Sequence, residues 1–126
     1  MKGDFLKKRA QDFSRDAQLA IKEKRWNSAA FHLEQACKFY LKYYLFLKWR
    51  DFPKTHSLKE LLLELARVYK QSSVKMKKFI KENEHIIGDL EQAYITSRYL
   101  PVEFNEKQAR EMAGFKNKLI NLLKKL

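Results

Sequence analysis

The sequence is poor in the residues that interrupt helices or cross-link chains. Its 126 residues include three glycines, two prolines and one cysteine. Few glycines and prolines leave few turns, which favours long helices over a fold of many short strands. A single cysteine excludes a disulfide within the chain and the paired cysteines typical of zinc sites. Cys37 lies on an apolar helical stripe, so we expect it to be a buried core residue.

Long hydrophobic runs are also missing. No apolar run in the chain approaches the roughly 18 residues that a membrane span needs. The N-terminus MKGDFLKKRAQDF lacks the apolar core of a signal peptide. We therefore expect a cytoplasmic protein that does not contact a membrane.

Acidic residues are scarce relative to basic ones. The chain has 27 Lys and Arg against 15 Asp and Glu, a net charge of +12. The basic residues are spread over every segment, which is compatible with two interpretations. One is a surface for nucleic acid, a nucleotide or an acidic protein, and the other is an ordinary lysine-rich helical surface. Charge bears on partners and leaves the fold open.

The composition indicates one folded domain. A hydrophobic content of 45%, with two Trp, six Tyr and nine Phe, argues against disorder. A chain of this length can bury a sizeable core without disulfides. We expect residues 1–126 to form a single helical domain.

The stretch from Trp26 to Trp49 contains no glycine or proline and predicts a helix of about six turns. Helical spacing gives it one apolar stripe, formed by Trp26, Ala29, Ala30, Leu33, Ala36, Cys37, Tyr40, Leu41, Tyr44 and Leu47. A second side carries His32, Gln35, Phe39, Tyr43 and Phe46. A helix with two apolar sides must be covered on both, so we predict a central helix whose second side meets another helix or another subunit.

The remaining helices follow from periodicity and caps. We predict a first helix over 4–25 that Asp4 caps, with Asn27 capping the central helix. Pro53 ends the central helix near Arg50, and Ser57-Leu58-Lys59-Glu60 fits a capping box before a third helix that reaches about Lys70. Residues 74–83 are either a short helix or a cover for the core. Helices over 84–99 and from a cap at 105–108 complete an all-α, up-and-down bundle of five to six helices.

Three groups of residues could support chemistry. Arg50 and His56 flank the loop around Pro53, where Arg could hold a phosphate and His could move a proton. Together they would suit metal-independent RNA cleavage, and the alternative is that His56 is a cap or staple before the third helix. His32, with Gln35 one turn on, could bind a ligand or simply pack at an interface.

Arg98-Tyr99 ends a helix and could present a guanidinium and a phenol to a ligand, or the Tyr could be buried under the next loop. His85 is most simply a surface residue. The three histidines have no i, i+4 spacing, so we predict no metal site and no cofactor. No glycine-rich phosphate loop and no nucleophile motif occur.

Four pieces of sequence, taken in order, resemble the HEPN domain family over nearly the whole chain. The first is Trp26-x-x-Ala29-x-Phe31-His32-x-x-Gln35-Ala36, followed by Leu41-Lys42. The others are Pro53-x-Thr55-His56-Ser57-Leu58-x-x-Leu61-Leu62, and Ala93-Tyr94 with Arg98-Tyr99-x-Pro101.

The resemblance implies a small helical bundle that forms homodimers. Many similar proteins are encoded beside a minimal nucleotidyltransferase (MNT) and act with it as a toxin–antitoxin pair. The resemblance to this MNT-associated, nucleotide-binding branch implies a site formed by His32, Gln35, His56, Arg98 and Tyr99. Other HEPN proteins are metal-independent endoribonucleases with an Arg followed by four to six residues and a His, and five residues lie between Arg50 and His56 here.

Three functions therefore remain open. The first is a HEPN module that dimerises and binds a nucleotide, an MNT partner or both. The second is a metal-independent endoribonuclease that uses Arg50 and His56. The third is a purely structural or nucleic-acid-binding helical protein, although the sequence has no recognised RNA- or DNA-binding signature.

Overall fold

The computed structural model describes residues 3–99 and 101–126, the side chains of Ser97 and Arg98 excepted. These residues form six α-helices and a short 3-10 helix, with no strand among them, so the predicted all-α helical bundle is confirmed. The helices are α1 (Asp4–Lys22), α2 (Trp26–Trp49), α3 (Leu58–Val68), α4 (Ser73–Glu82), α5 (Glu84–Tyr99) and α6 (Glu106–Leu123). The 3-10 helix, Lys70–Ser72, joins α3 to α4.

Helix α1 is shorter than the predicted 4–25, because the chain turns sharply at its end. Lys24 adopts a left-handed backbone conformation (φ 59°), and Arg25 N–H donates to the Ala20 carbonyl over 2.8 Å. This turn and its hydrogen bond end α1 within three residues of Lys22. At the other end Gly3, rather than Asp4, occupies the N-cap position, and Asp4 lies in the first turn, where its carboxylate complements the helix dipole.

The predicted capping role of Asn27 is wrong. Helix α2 begins one residue earlier, at Trp26, and Arg25 occupies its N-cap position. The Asn27 amide instead reaches across the bundle, donating from Nδ2 to the Val102 carbonyl (3.2 Å) and accepting at Oδ1 from Phe104 N–H (2.6 Å). The side chain therefore attaches the segment between α5 and α6 to the start of α2.

Helix α2 is the central helix, as predicted, and it packs against α1, α3, α5 and α6. Its second, aromatic side is covered by α1 of the same chain. Phe13 of α1 stacks on Phe39 with 5.6 Å between ring centroids, and a β-carbon at Gly3 would overlap the Phe46 ring. The alternative in which another helix covers this side is thus correct, and the face does not by itself require a second subunit.

The loop after α2 begins with a left-handed residue. Arg50 has φ 63° and ψ 17°, and its N–H donates to the Phe46 carbonyl over 2.7 Å. Regular structure resumes at α3, where Ser57 Oγ accepts from Glu60 N–H at 3.2 Å, so the predicted cap is confirmed. The Glu60 carboxylate accepts from Thr55 Oγ1 (2.7 Å), an interaction that the proposed capping box does not contain.

Between α3 and α6 the chain mostly follows its periodicity. Helix α3 ends at Val68, before the predicted Lys70, and all but the last of residues 74–83 lie in helix α4, so this segment is a short helix rather than an irregular cover. Met76 and Ile80 are the buried residues of α4. At the start of α6, Asn105 and Gln108 form the complete capping box that the sequence predicts.

The core lies along α2 and is built from aliphatic side chains of the surrounding helices. Cys37 is fully buried within it, as expected, and burial raises the pKa of its thiol far above the ordinary value. The largest fully buried side chains are Leu6, Leu33, Leu41, Leu45, Leu58, Leu61, Leu62, Leu65, Met76, Leu90, Met112 and Phe115.

Candidate functional site

His56 lies at the end of the loop between α2 and α3, and its exposed ring stacks on Tyr94 of α5. The ring centroids are 4.9 Å apart and the planes differ by 18°. The following residues fix this position, because Glu91 Oε1 of α5 accepts from Ser57 Oγ (3.2 Å) and from Lys59 N–H (3.0 Å). The loop is therefore anchored to α5 immediately beside His56.

A buried ion pair lies beneath this stack. Lys38 Nζ is 3.1 Å from Glu34 Oε2, one turn earlier on α2, and their side chains are 4% and 0% exposed. Lys38 Nζ also lies 3.9 Å from the Tyr94 ring centroid, which is a desolvated cation–π contact. The Glu34 carboxylate is further held by Gln35, whose Nε2 donates to Oε1 over 2.7 Å.

These five residues, Glu34, Gln35, Lys38, His56 and Tyr94, are called the Lys38 cluster below. The cluster links Gln35 and His56, two predicted site residues that lie far apart in the sequence. Burying two charges is costly, and their attraction offsets that cost only when the remaining polar atoms are also bonded. The Lys38 cluster therefore holds one exposed histidine over a rigid, charged support.

Lys42 extends the same side of α2 toward the loop. Its ammonium lies 5.3 Å from the ring centroid of Phe52, and burial, followed by repulsion from Lys38, lowers its pKa. Since Lys42 is only half-buried, its charge can reach a ligand, whereas Lys38 is enclosed. A cation and an imidazole thus lie beside one loop, a combination suited to a phosphate group.

His32 lies on a different side of α2, toward α1. Its ring is 5.9 Å from the Phe13 ring, and Nδ1 is 2.7 Å from the Ser28 carbonyl oxygen. A carbonyl oxygen only accepts, so Nδ1 donates this bond and, in the neutral ring, Nε2 is left as the acceptor. His32 is thus packed and oriented by Phe13 and Ser28, while the contacts of Gln35 belong to the Lys38 cluster.

Arg50 and His56 occupy the two ends of the loop, as the sequence indicates. The left-handed conformation of Arg50 ends α2, and its side chain is exposed. His56 directly precedes Ser57, the N-cap of α3. Both candidate ribonuclease residues are accessible to a large substrate such as RNA.

The predicted pair at the end of α5 is only partly described. The side chain of Arg98 lies outside the described residues. Tyr99 is 76% exposed, so its ring is not buried beneath the next loop. Tyr99 lies five positions after Tyr94, which corresponds to about 7.5 Å along the helix axis.

Sequence reasoning missed Glu34 and Lys38. An i, i+4 pair of opposite charge is normally a solvent-exposed feature of a helix. Here the signal was that Glu34 and Lys38 directly follow the apolar residues Leu33 and Cys37 on a helix that is apolar on two sides. The contacts of Tyr94 with His56 and Lys38 were also not predicted, although Tyr94 belongs to one of the sequence pieces that resemble the family.

The described residues contain neither a metal-binding cluster nor a membrane-spanning helix. Among residues 3–99 and 101–126 there is no group of three or more His, Cys, Asp or Glu side chains that could hold a metal ion. Within the same ranges, none of the helices has the length and apolar character needed to cross a membrane.

Comparison with known proteins gives one match. The family model described as the HEPN domain matches residues 4–126, which is nearly the whole chain. No curated protein and no solved structure matches the sequence.

Proposed function

The chain belongs to the HEPN domain family, and from this we propose that it is a dimerising helical module that binds a nucleotide, an MNT partner or both, in a toxin–antitoxin-like system. The observation that carries the proposal is the Lys38 cluster. It joins a residue of the Phe31-His32-x-x-Gln35 piece to His56 of the second motif through a buried ion pair. Such a rigid support is characteristic of binding sites whose exposed groups must be held in one orientation.

The proposed site has distinct parts. Half-buried Lys42 and exposed His56 would contact the phosphates, and the exposed ring of Tyr99 would stack on the base. Gln35 acts by holding Glu34, and through it Lys38, while His32, on the α1 side, and Arg98 complete the candidate set. Dimerisation in this proposal uses a surface other than the aromatic side of α2, which α1 covers.

A direct binding measurement tests this function. Isothermal titration of the purified chain with ATP should give saturable binding that His56→Ala weakens by about tenfold, the equivalent of losing one hydrogen bond to a charged group. His85→Ala is the matched control, because His85 is an exposed histidine of α5 that pairs with Asp89 at 3.4 Å. Equal weakening by both variants, or no binding to the wild-type chain, would reject the nucleotide site.

The partner and the oligomeric state need separate measurements. Light scattering coupled to size exclusion should give twice the chain mass of 15.2 kDa. Co-expression with a nucleotidyltransferase encoded by a neighbouring gene should yield a complex that survives purification. A monomer throughout the micromolar range would refute the dimer, and failure to co-purify would refute the partner.

The second candidate function is a metal-independent endoribonuclease that uses Arg50 and His56. The observation that favours it is the exposure of both side chains at the ends of one anchored loop. In this mechanism His56 would accept the proton of the RNA 2′-hydroxyl, and Arg50 would stabilise the charge that develops on the phosphorane.

An RNA-cleavage assay in EDTA separates the two functions. Cleavage that disappears in His56→Ala and persists in His85→Ala would establish the ribonuclease. Absence of cleavage by the wild-type chain, together with ATP binding that depends on His56, would leave the nucleotide-binding function alone.

A further inference from the structure

A second recess lies away from the Lys38 cluster, where α2 and α3 end and α4 begins. Its volume is about 550 Å³, and Lys48, Tyr69, Lys70, Gln71 and Ser72 contribute to its lining. This volume falls within the range of small-molecule pockets, about 300–1,000 Å³. None of its lining residues belongs to the Lys38 cluster or to the predicted site.

The recess is electrostatically positive. Of the described residues that line it, Lys48 and Lys70 have charged side chains, and Val68 and Leu126 have apolar ones. Ser72 is also the N-cap residue of α4, whose first turn contains no acidic residue. Positive side chains in a concave site concentrate the field, and the N-terminus of an adjacent helix adds to it. An anion is therefore the favoured occupant.

One wall of the recess is a fixed aromatic ring. The Tyr69 hydroxyl donates to the Tyr44 carbonyl oxygen over 2.6 Å, which orients the side chain, and burial raises the pKa of the phenol, so that it stays neutral. Lys48 Nζ lies 5.4 Å from the Tyr69 ring centroid. Val68 adds apolar surface beside it. An aliphatic or aromatic group can pack against this wall while an anion meets the lysines.

From these features we propose that the recess binds a phosphate monoester with a flat or apolar body, the phosphate at Lys48 and Lys70 and the body against Tyr69. The polar side chains of Gln71 and Ser72 are available to the phosphate oxygens or to polar groups of the body. This binding site is independent of the proposed function, because the two share no residue.

An NMR titration of the full-length, 15N-labelled chain tests the proposal. The probes are inorganic phosphate, ribose 5-phosphate and adenosine 5′-monophosphate, which share the phosphate and differ in the body. We expect saturable shifts of the Gln71 and Ser72 amide signals, with affinity increasing in that order of probes. Equal affinity for inorganic phosphate and the nucleotide would overturn the proposal, since the aromatic wall would then contribute nothing.

Matched variants separate the recess from general charge attraction. Lys48→Ala combined with Lys70→Ala should weaken binding of the nucleotide by about tenfold or more, because two charged contacts are lost. Lys77→Ala combined with Lys81→Ala removes the same charge from exposed positions of α4 that do not line the recess. The amide spectrum of each variant reports whether it is folded.

Equal weakening in the two double variants would overturn the proposal in favour of nonspecific attraction. Shifts confined to His56, Tyr94 and their neighbours would also overturn it, while supporting the separate nucleotide site of the proposed function. Shifts at Gln71 and Ser72 that persist in His56→Ala would support the recess whatever the outcome at the Lys38 cluster.

Discussion

Removing either member of the Glu34–Lys38 pair should destabilise the protein strongly, because the charge that remains is buried. The two side chains are 0% and 4% exposed, so water cannot replace the lost partner. Glu34→Gln leaves the lysine, and neutralising an ordinary lysine at pH 7 costs about 4.6 kcal/mol. Lys38→Met leaves the carboxylate, whose protonation at pH 7 costs about 3.7 kcal/mol from the ordinary value of glutamate. These costs are upper limits for the two variants, and they agree with the roughly 3–5 kcal/mol lost when a buried pair is broken.

The variant with both substitutions should be more stable than either single variant. Glu34→Gln combined with Lys38→Met removes both charges and retains a carbonyl acceptor for Gln35, whose Nε2 bonds Glu34 in the wild type. Its remaining loss is the cation–π contact with Tyr94, about 0.5–2 kcal/mol. Because a domain is stabilised by only about 5–15 kcal/mol in total, these differences are readily measured.

The assay is urea unfolding of the wild-type chain and the three variants from pH 6 to pH 9. Stability of Glu34→Gln should rise with pH, because the unfolded state binds the lysine proton more tightly than the folded state does. Stability of Lys38→Met should fall over the same range, because the folded state then holds a proton on Glu34 that the unfolded state has released. The reasoning would be refuted if each single variant lost less than about 1 kcal/mol of unfolding free energy and the two losses simply added in the double variant. It would also be refuted if the stabilities of the two single variants changed with pH in the same direction.

Three further predictions concern single residues. Lys116→Met should stabilise the protein by about 1 kcal/mol at pH 7, because it removes a buried charge. Burial, opposed in part by Cys37, lowers the pKa of Lys116 from 10.5, so the stability of the wild-type protein should rise as the pH approaches 10.5. Urea unfolding at pH 7 and pH 9 should show a smaller rise in the variant. Cys37 should react with a thiol reagent only as fast as the protein unfolds, since it is buried and burial raises its pKa, and rapid reaction under native conditions would contradict its position. Asn27→Ala should cost about 1–3 kcal/mol in thermal unfolding because it leaves Phe104 N–H without its acceptor, whereas Asn27→Asp should cost less because it retains that acceptor.

The helices could be predicted because their signals are local. Ser57 and Asn105 cap the helices that follow them, as expected, since a cap depends on the few residues after it. The central position of α2 followed from its two apolar sides. Which partner covers the second side could not be deduced from the pattern, because α1 and another subunit would present the same kind of surface to it.

Features that depend on tertiary contacts were not predictable. Asn27 is of a residue type that often caps helices, but its side chain instead forms hydrogen bonds with Val102 and Phe104, which are remote in the sequence. Glu34 and Lys38 have the spacing of a surface pair, and only the packing of α5 over α2 encloses them. Two of the predicted site residues, Gln35 and His56, therefore belong to the Lys38 cluster, whereas the ion pair between Glu34 and Lys38 was not predicted.

The left-handed residue at the end of α2 offers a way to test the proposed role of Arg50 without damage to the fold. Glycine adopts positive φ without the steric cost that a β-carbon imposes, so glycine would be the more comfortable residue at position 50, where φ is 63°. Most substitutions of a functional arginine leave doubt about whether the fold or the chemistry was damaged. Arg50→Gly would delete the guanidinium while relaxing the backbone, so any activity lost with it could be attributed to the side chain alone.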